Sequence, residues 1–153
     1  MAEENGMHRG IRRRAGWAIG AAVACAIPAG IAARADDLTG ANRILCTAVQ
    51  VTVCDESGDC VIDLPWNANV PQFIEIDLAA KRMSTTRASG ENRATPIEHL
   101  RRENGVIVLQ GFERGRAFSF VITESTGAAS VAVAAEARAV GVFGACTPMT
   151  AGR

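Results

Sequence analysis

Four cysteines constrain this chain of 153 residues more than any other feature: Cys46, Cys54, Cys60 and Cys146, all downstream of an apolar N-terminal stretch. An even set of cysteines in a short exported chain reads as two disulfides. Four cysteines permit three pairings. Cys54 and Cys60 bracket the polar run Asp55-Glu56-Ser57-Gly58-Asp59, so they are expected to pair across a hairpin turn. Cys46 is then left for Cys146, closing a loop of about 100 residues, a closure to which chain-entropy models assign ~4–5 kcal/mol. Such a bond requires Cα atoms within ~7 Å, so the first and last strands are expected to be neighbours. A four-cysteine zinc site is the competing reading. It lacks any C-x-x-C pair, and no metal site is expected.

The N-terminal stretch supports export. Arg9, Arg12, Arg13 and Arg14 form a basic region. Residues 17–31 are uncharged and rich in Ala, Gly, Val and Ile, and Ala33-Arg34-Ala35 precedes Asp36-Asp37. That is the layout of a signal peptide with an A-x-A cleavage site. The apolar run is about fifteen residues, short of the ~20 that a membrane span needs. The expected division is a signal peptide at 1–35, a lead at 36–43, a β domain at 44–148 and a tail at 149–153. Ala22-Val23-Ala24-Cys25 is an incomplete lipobox, lacking the Leu three residues before the cysteine. A membrane contact is expected only through the signal or a lipidated Cys25. The expected location is the periplasm or the exterior. Beyond residue 35 the chain carries eleven basic and fourteen acidic residues, a net charge of −3. No basic patch is left to follow a phosphate backbone, so nucleic acid is not an expected partner.

Turn signals then recur at nearly even steps: Ala79-Ala80, Ser89-Gly90, Asn104-Gly105, Arg114-Gly115, and residues 125–127 and 136–138. Between them lie short segments rich in Val, Ile, Phe and Thr, the pattern of consecutive antiparallel hairpins. Asn104-Gly105 is the strongest, because both residues tolerate the positive φ of a type I′ turn. Strands are expected at 44–54, 60–64, 72–78, 82–87, 93–101, 106–112, 117–123, 128–135 and 140–146. Leu45, Val49, Val51 and Val53 are expected on one face of the first. Ile74, Ile76 and Leu78 share a face, as do Phe118, Phe120 and Ile122. The polar segments 82–87 and 93–101 read as edges, and the apolar 106–112 as central. Thr95-Pro96-Ile97-Glu98 also fits a helix start, with Thr as N-cap and Pro at N1. Only Ile97 and Leu100 would line its buried face, so a strand is the preferred reading of 95–104. The expected fold is all-β: a single antiparallel meander of eight to nine strands, a closed or nearly closed barrel, with a β-sandwich as the competitor.

Residues 66–148 also resemble a group of small exported proteins from Gram-negative bacteria with no assigned activity. The resemblance is carried by Asn69-Val70-Pro71-Gln72-Phe73, Ile76-Asp77-Leu78, Ser84-Thr85-Thr86, Leu109-Gln110-Gly111, Gly115-Arg116-Ala117-Phe118-Ser119 and Phe143-Gly144-Ala145-Cys146-Thr147-Pro148. It implies export and a β fold, and supplies no catalytic residues.

Catalytic chemistry finds little support. Beyond the signal there is one histidine, His99, and no G-x-S-x-G surrounds Ser84, Ser119 or Ser130. Glu75 and Asp77 share a strand face, which on an antiparallel sheet is usually the solvent face. Asp55, Glu56 and Asp59 crowd a loop too short for a calcium site and better explained as a turn. No catalytic residue and no cofactor are expected. The candidate contact residues are Trp66, Asn67 and Asn69, in the loop between Pro65 and Pro71, and the polar cluster His99 and Arg101 with Glu98 and Arg102. A loop Trp can anchor a partner; it can equally plug a barrel end. The expectation is an exported, non-catalytic binding or envelope-accessory domain. One alternative is similar to small β-barrel lysozyme inhibitors, whose Tyr- and Ser-rich motifs are missing in a chain with no Tyr. Another is a hydrolase of unrecognised type. A pocket with a converging acid–base pair would favour the enzyme; a filled barrel with an exposed loop patch would favour the binding domain.

Overall fold

The computed structural model describes residues 36–89 and 92–149. The signal-peptide reading, Cys25 and residues 150–153 lie outside the described residues, as does Gly90 of the Ser89-Gly90 turn. The described chain forms β1 (Arg43–Asp55), β2 (Cys60–Asp63), β3 (Phe73–Asp77), β4 (Arg82–Thr85), β5 (Ala94–Pro96), β6 (His99–Glu103), β7 (Val106–Glu113), β8 (Arg116–Thr123), β9 (Ala128–Ala135) and β10 (Arg138–Pro148). A single 3-10 turn, Arg87–Ser89, follows β4. The segment 95–104 is strand and not helix.

All ten strands belong to one antiparallel sheet, ordered β5-β4-β3-β1-β10-β9-β8-β7-β6, with β2 beside β1. The described residues form no second layer, which removes the sandwich. The two ends of the order, β5 and β6, are consecutive in the chain and joined through Ile97 and Glu98. The Ile97 N–H donates to the Lys81 carbonyl at 2.8 Å, toward β4, and the Glu98 N–H to the Gln110 carbonyl at 2.9 Å, on β7. The backbone thus passes from one edge of the sheet to the other within two residues, and the sheet curls into a half-barrel. The strand expected at 93–101 is split by this hand-over into β5 and β6. Those two are the edges. β4, expected at an edge, is paired on both sides, and β7, expected in the centre, lies next to the edge strand β6. The centre belongs to β1 and β10, the longest strands at 13 and 11 residues.

Both disulfides join register partners. Cys46 faces Cys146 across β1 and β10 with Cα atoms 4.0 Å apart, and Cys54 faces Cys60 across β1 and β2 at 4.1 Å. First and last strands are therefore neighbours, as the pairing requires. Asn104 and Gly105 both have positive φ, 54° and 73°, as a two-residue hairpin loop of that twist demands. Arg114 and Gly115 repeat the arrangement at 48° and 80°.

The face of β1 departs from strict alternation. Ile44 and Cys46 are buried, Val49 is exposed and Val51 is buried. The register with β10 slips between Ala48 and Gln50. One extra residue in a strand shifts its phase, so inward positions change from even to odd numbers. Leu45 and Val49, expected inward with Val51 and Val53, sit on the other side of that phase change. The same irregularity crowds β10: a Cβ at Gly144 would lie 2.3 Å from the Thr47 carbonyl oxygen.

The interior is unevenly filled. At one end Leu38, Ile44, Ile76, Ile97, Ile107 and Ile122 pack with almost no exposure. At the other, inward positions are small: Ala48, Val53, Ala68, Val131 and Val140 pack around Val51 and Val142. Along β7 the inward series runs Ile107, Leu109, Gly111, Glu113; along β8 it runs Ile122, Phe120, Phe118, Arg116. Both series end on a charge, and the Phe118 ring occupies the place of the side chain missing at Gly111; the small inward residues are those of β1, β9 and β10. At close-packed density, smaller side chains on an unchanged strand frame leave space.

Candidate functional site

That space is a cavity of ≈ 230 Å³ within the half-barrel. Its floor is Cys46 with Met83, Ile74 and Ala129, and its walls are Phe118, Phe120, Val131, Val133, Val140 and Val142. Phe118 and Phe120 meet edge to face, with centroids 5.9 Å apart. Ala68, Asn69, Val70 and Pro71 close one side. It exceeds the ~150 Å³ apolar cavity that is known to accept benzene.

The rim is polar. Glu113, Arg116 and Arg138 are the terminal inward positions of β7, β8 and β10, and Arg93 enters ahead of β5. Glu113 and Arg116 are register partners across the hairpin, with the guanidinium 3.8 Å from the carboxylate. The Arg138 side chain makes no ion pair or hydrogen bond to the described residues. With Arg116 paired to Glu113, Arg138 is the rim charge that no described carboxylate takes up, in a chain that is acidic beyond residue 35.

The loop that closes the chamber is built locally. The Asp63 carboxylate accepts the Leu64 N–H at 2.7 Å and the Asn67 side-chain amide at 2.9 Å. These bonds hold its carboxyl below the usual carboxylate range, the Asn67 bond first. The Val70 N–H reaches the Pro65 carbonyl at 2.8 Å, and Asn69 ends the turn at φ 55°, a conformation Asn tolerates better than most residues. Of the residues singled out from sequence, Asn67 therefore shapes the turn and Asn69 lines the chamber. Trp66 is 61% exposed; the buried members of its loop are Pro65 and Ala68. The plug reading of Trp66 is corrected by that exposure.

The second expected cluster does not converge on the chamber. His99 and Arg101 are exposed on β6. His99 sits opposite Gln110 and borders a groove across the outer face, floored by Ala117, Ser119, Ala132, Ala134, Ala139 and Gly141. Arg101 lies 3.9 Å from Glu103. Arg102 has turned the other way. It bonds the Glu124 carboxylate through Nε and Nη2, and donates to the Ala41 and Leu38 carbonyls at 2.9 Å each. Glu124 also accepts the Leu38 N–H on its carbonyl at 2.8 Å. Arg102 thus pins residues 38–41 over the filled end of the half-barrel.

The carboxylates weighed as catalytic pairs are also occupied. Glu75 lies 3.6 Å from Arg43, and Asp77 accepts the Ala80 N–H at 2.8 Å to close its turn. Asp55 accepts the Ser57 hydroxyl at 2.6 Å and the Ser57 and Asp59 N–H groups. The Ser57 hydroxyl is the main cause holding its carboxyl low. These are hairpin contacts between Cys54 and Cys60.

Sequence reasoning placed Phe118, Phe120 and Ile122 on one face and missed the rim. Extending that parity by one step reaches Arg116. The same extension on β9 and β10 reaches Ala135 and Arg138. An inward position that turns charged at a strand end is the signal of an open mouth. No protein-family model, curated protein or solved structure matches this chain. The two disulfides fit an oxidising, extracytoplasmic environment.

Proposed function

We propose that this chain is an exported, periplasmic, non-catalytic binding protein, and that the half-barrel interior is where it binds. One observation supports this reading above others: the chamber is open and apolar, and the only carboxylate lining it among the described residues, Glu113, is paired with Arg116. A pocket walled by hydrophobic side chains with a few polar groups at its edge is the usual form of a small-molecule site. No histidine lines it, so the converging acid–base pair that would favour a hydrolase is missing from the lining. The motif resemblance to small exported proteins adds export and a β fold to this reading, and no activity. Processing after Ala35 completes it.

Two measurements test the proposal. Intact mass of the protein recovered from a Gram-negative periplasm should correspond to a chain starting at Asp36 with two disulfides. A mass retaining residues 26–35 with a diacylglyceryl group would place it on a membrane instead. A neutral apolar fluorophore such as N-phenyl-1-naphthylamine should bind at one site and be displaced when Val133→Trp fills the chamber. Equal binding by a folded Val133→Trp variant would refute the chamber as the site.

A further inference from the structure

We infer that the chamber receives a single acyl chain carrying an anionic head group, with the head at Arg138 and the tail against Phe118 and Phe120. The inference rests on the chamber being the binding site and adds the chemical class of its occupant.

Charge complementarity carries the argument. Beyond residue 35 the chain has net charge −3, yet the rim sets the Arg138 guanidinium, which has no ion pair to the described residues, beside the Glu113–Arg116 pair. An unpaired charge at the mouth of a low-dielectric cleft attracts the opposite charge more than the net charge of the molecule would. The described carboxylates at this end do not neutralise Arg138. Glu113 is held by Arg116. Asp55 faces Arg138 in register but is bonded to Ser57 and Asp59 within its own turn. Glu56, Asp59 and Glu136 stand exposed on turns and do not line the chamber. Arg138 therefore has a full set of donors for a carboxylate or phosphate, in the fork geometry that binds either through two bonds.

The interior fixes the other half of the ligand. Its walls are mainly Phe and Val with a few neutral polar side chains, and among the described residues no titratable group lines it below the rim. A head with no tail would leave that space unused, and a tail with no head would leave Arg138 unpaired. An unbranched chain suits a cavity of ≈ 230 Å³ that is deep at Cys46 and open at the arginines.

The test is a binding series by calorimetry on the processed, disulfide-bonded protein. Decanoate, decyl sulfate, decanol and decyltrimethylammonium share one tail and differ in head. The anionic pair should bind at least tenfold tighter than decanol, and the cation should bind weakest. In the carboxylate series, each added methylene should tighten binding about fourfold until the chamber is full. Arg138→Gln should weaken decanoate about tenfold or more and leave decanol unchanged, with Arg138→Lys recovering part of the loss. A parallel arm compares decanoate with a lysophosphatidic acid of the same chain, and the tighter of the two identifies free fatty acid or phospholipid as the source. Equal affinity for all four heads, or an Arg138→Gln variant that binds decanoate as before, overturns the head-group assignment and leaves the chamber reading standing. Failure of all four to bind, decanol included, overturns both.

Discussion

Replacing Arg102 by Met removes a guanidinium that holds three partners and leaves the aliphatic bulk in place. The Glu124 side chain is 12% exposed and that of Arg102 28%. Breaking a buried pair by removing one partner costs ~3–5 kcal/mol, because the remaining charge is stranded in a poor dielectric. Arg102 reaches solvent, so screening brings the figure down to about 2–4 kcal/mol. The bonds to the Leu38 and Ala41 carbonyls fall with it. Domains of this kind have ~5–15 kcal/mol in all, so the loss is a large share. Urea unfolding of wild type, Arg102→Met, Glu124→Gln and the double variant gives the coupling. The double should be less unstable than the sum of the singles by ~1–3 kcal/mol, since Gln no longer needs a cation. Hydrogen exchange supplies the local readout. The Leu38 amide, bonded to the Glu124 carbonyl at 2.8 Å, should lose protection in Arg102→Met ahead of β7 and β8. A destabilisation within ~0.5 kcal/mol with Leu38 still protected would refute the assignment of Arg102 as the clasp of the lead.

Further outcomes follow from burial and from close approaches. Mild reductant under native conditions should open Cys54–Cys60, whose Cys60 is exposed, while Cys46–Cys146, at 6% and 2% exposure, should resist until global unfolding; alkylation and mass mapping report the order. Gly144→Ala should cost ~1–3 kcal/mol, because its methyl would meet the Thr47 carbonyl at 2.3 Å, whereas Gly141→Ala, with nothing within 4 Å, should leave the denaturation midpoint nearly unchanged. The Asp63 carboxyl is held low chiefly by the Asn67 amide and then by the Leu64 N–H, so its contribution is present above the unfolded-state pKa and is lost as pH falls through the lower folded value. The Asn67 side-chain amide and the Val70 N–H should then exchange faster only at acid pH, and Asp63→Asn should abolish that dependence.

What could be read from the residues was set by local rules, and what could not was set by the sheet as a whole. The hairpins at Asn104-Gly105 and Arg114-Gly115 are legible because two adjacent residues fix the turn. Cys54 and Cys60 are legible because six residues of separation across a polar run leave little else for them to do. The bulge near Val49 is not legible: Leu45, Val49, Val51 and Val53 make a plausible stripe until β10 imposes its register. The hand-over at Ile97 and Glu98 was hidden for a related reason. A strand of nine polar-leaning residues reads as one edge, and only closure of the sheet divides it between β4 and β7. Arg102 looked like a neighbour of His99 and Arg101. Alternation along β6 put it on the opposite face, where Glu124 lies 22 residues away.

The two ends of the half-barrel are held by different means, and this bears on why one end is open. Where Ile and Leu fill the interior, burial holds the strands, and Arg102 with Glu124 fastens residues 38–41 over them. Where Ala48 and Val131 leave space, the inner side chains supply less burial. There the strands are held from outside the core: Cys54–Cys60 ties β2 to β1, and Asp63 with Asn67 fixes the loop that brings Ala68 onto Val51 and Val142. Cys46–Cys146 lies between these regions, at the floor of the chamber, and joins the two central strands where the filled interior gives way to the empty one. A domain of this size has little burial to spare. Filling the open end with Leu or Phe would have stabilised it more simply than a cross-link and a side-chain clasp. That the chain instead carries small inward residues, a staple beneath them and arginines above them is the strongest physical reason to regard the chamber as a site.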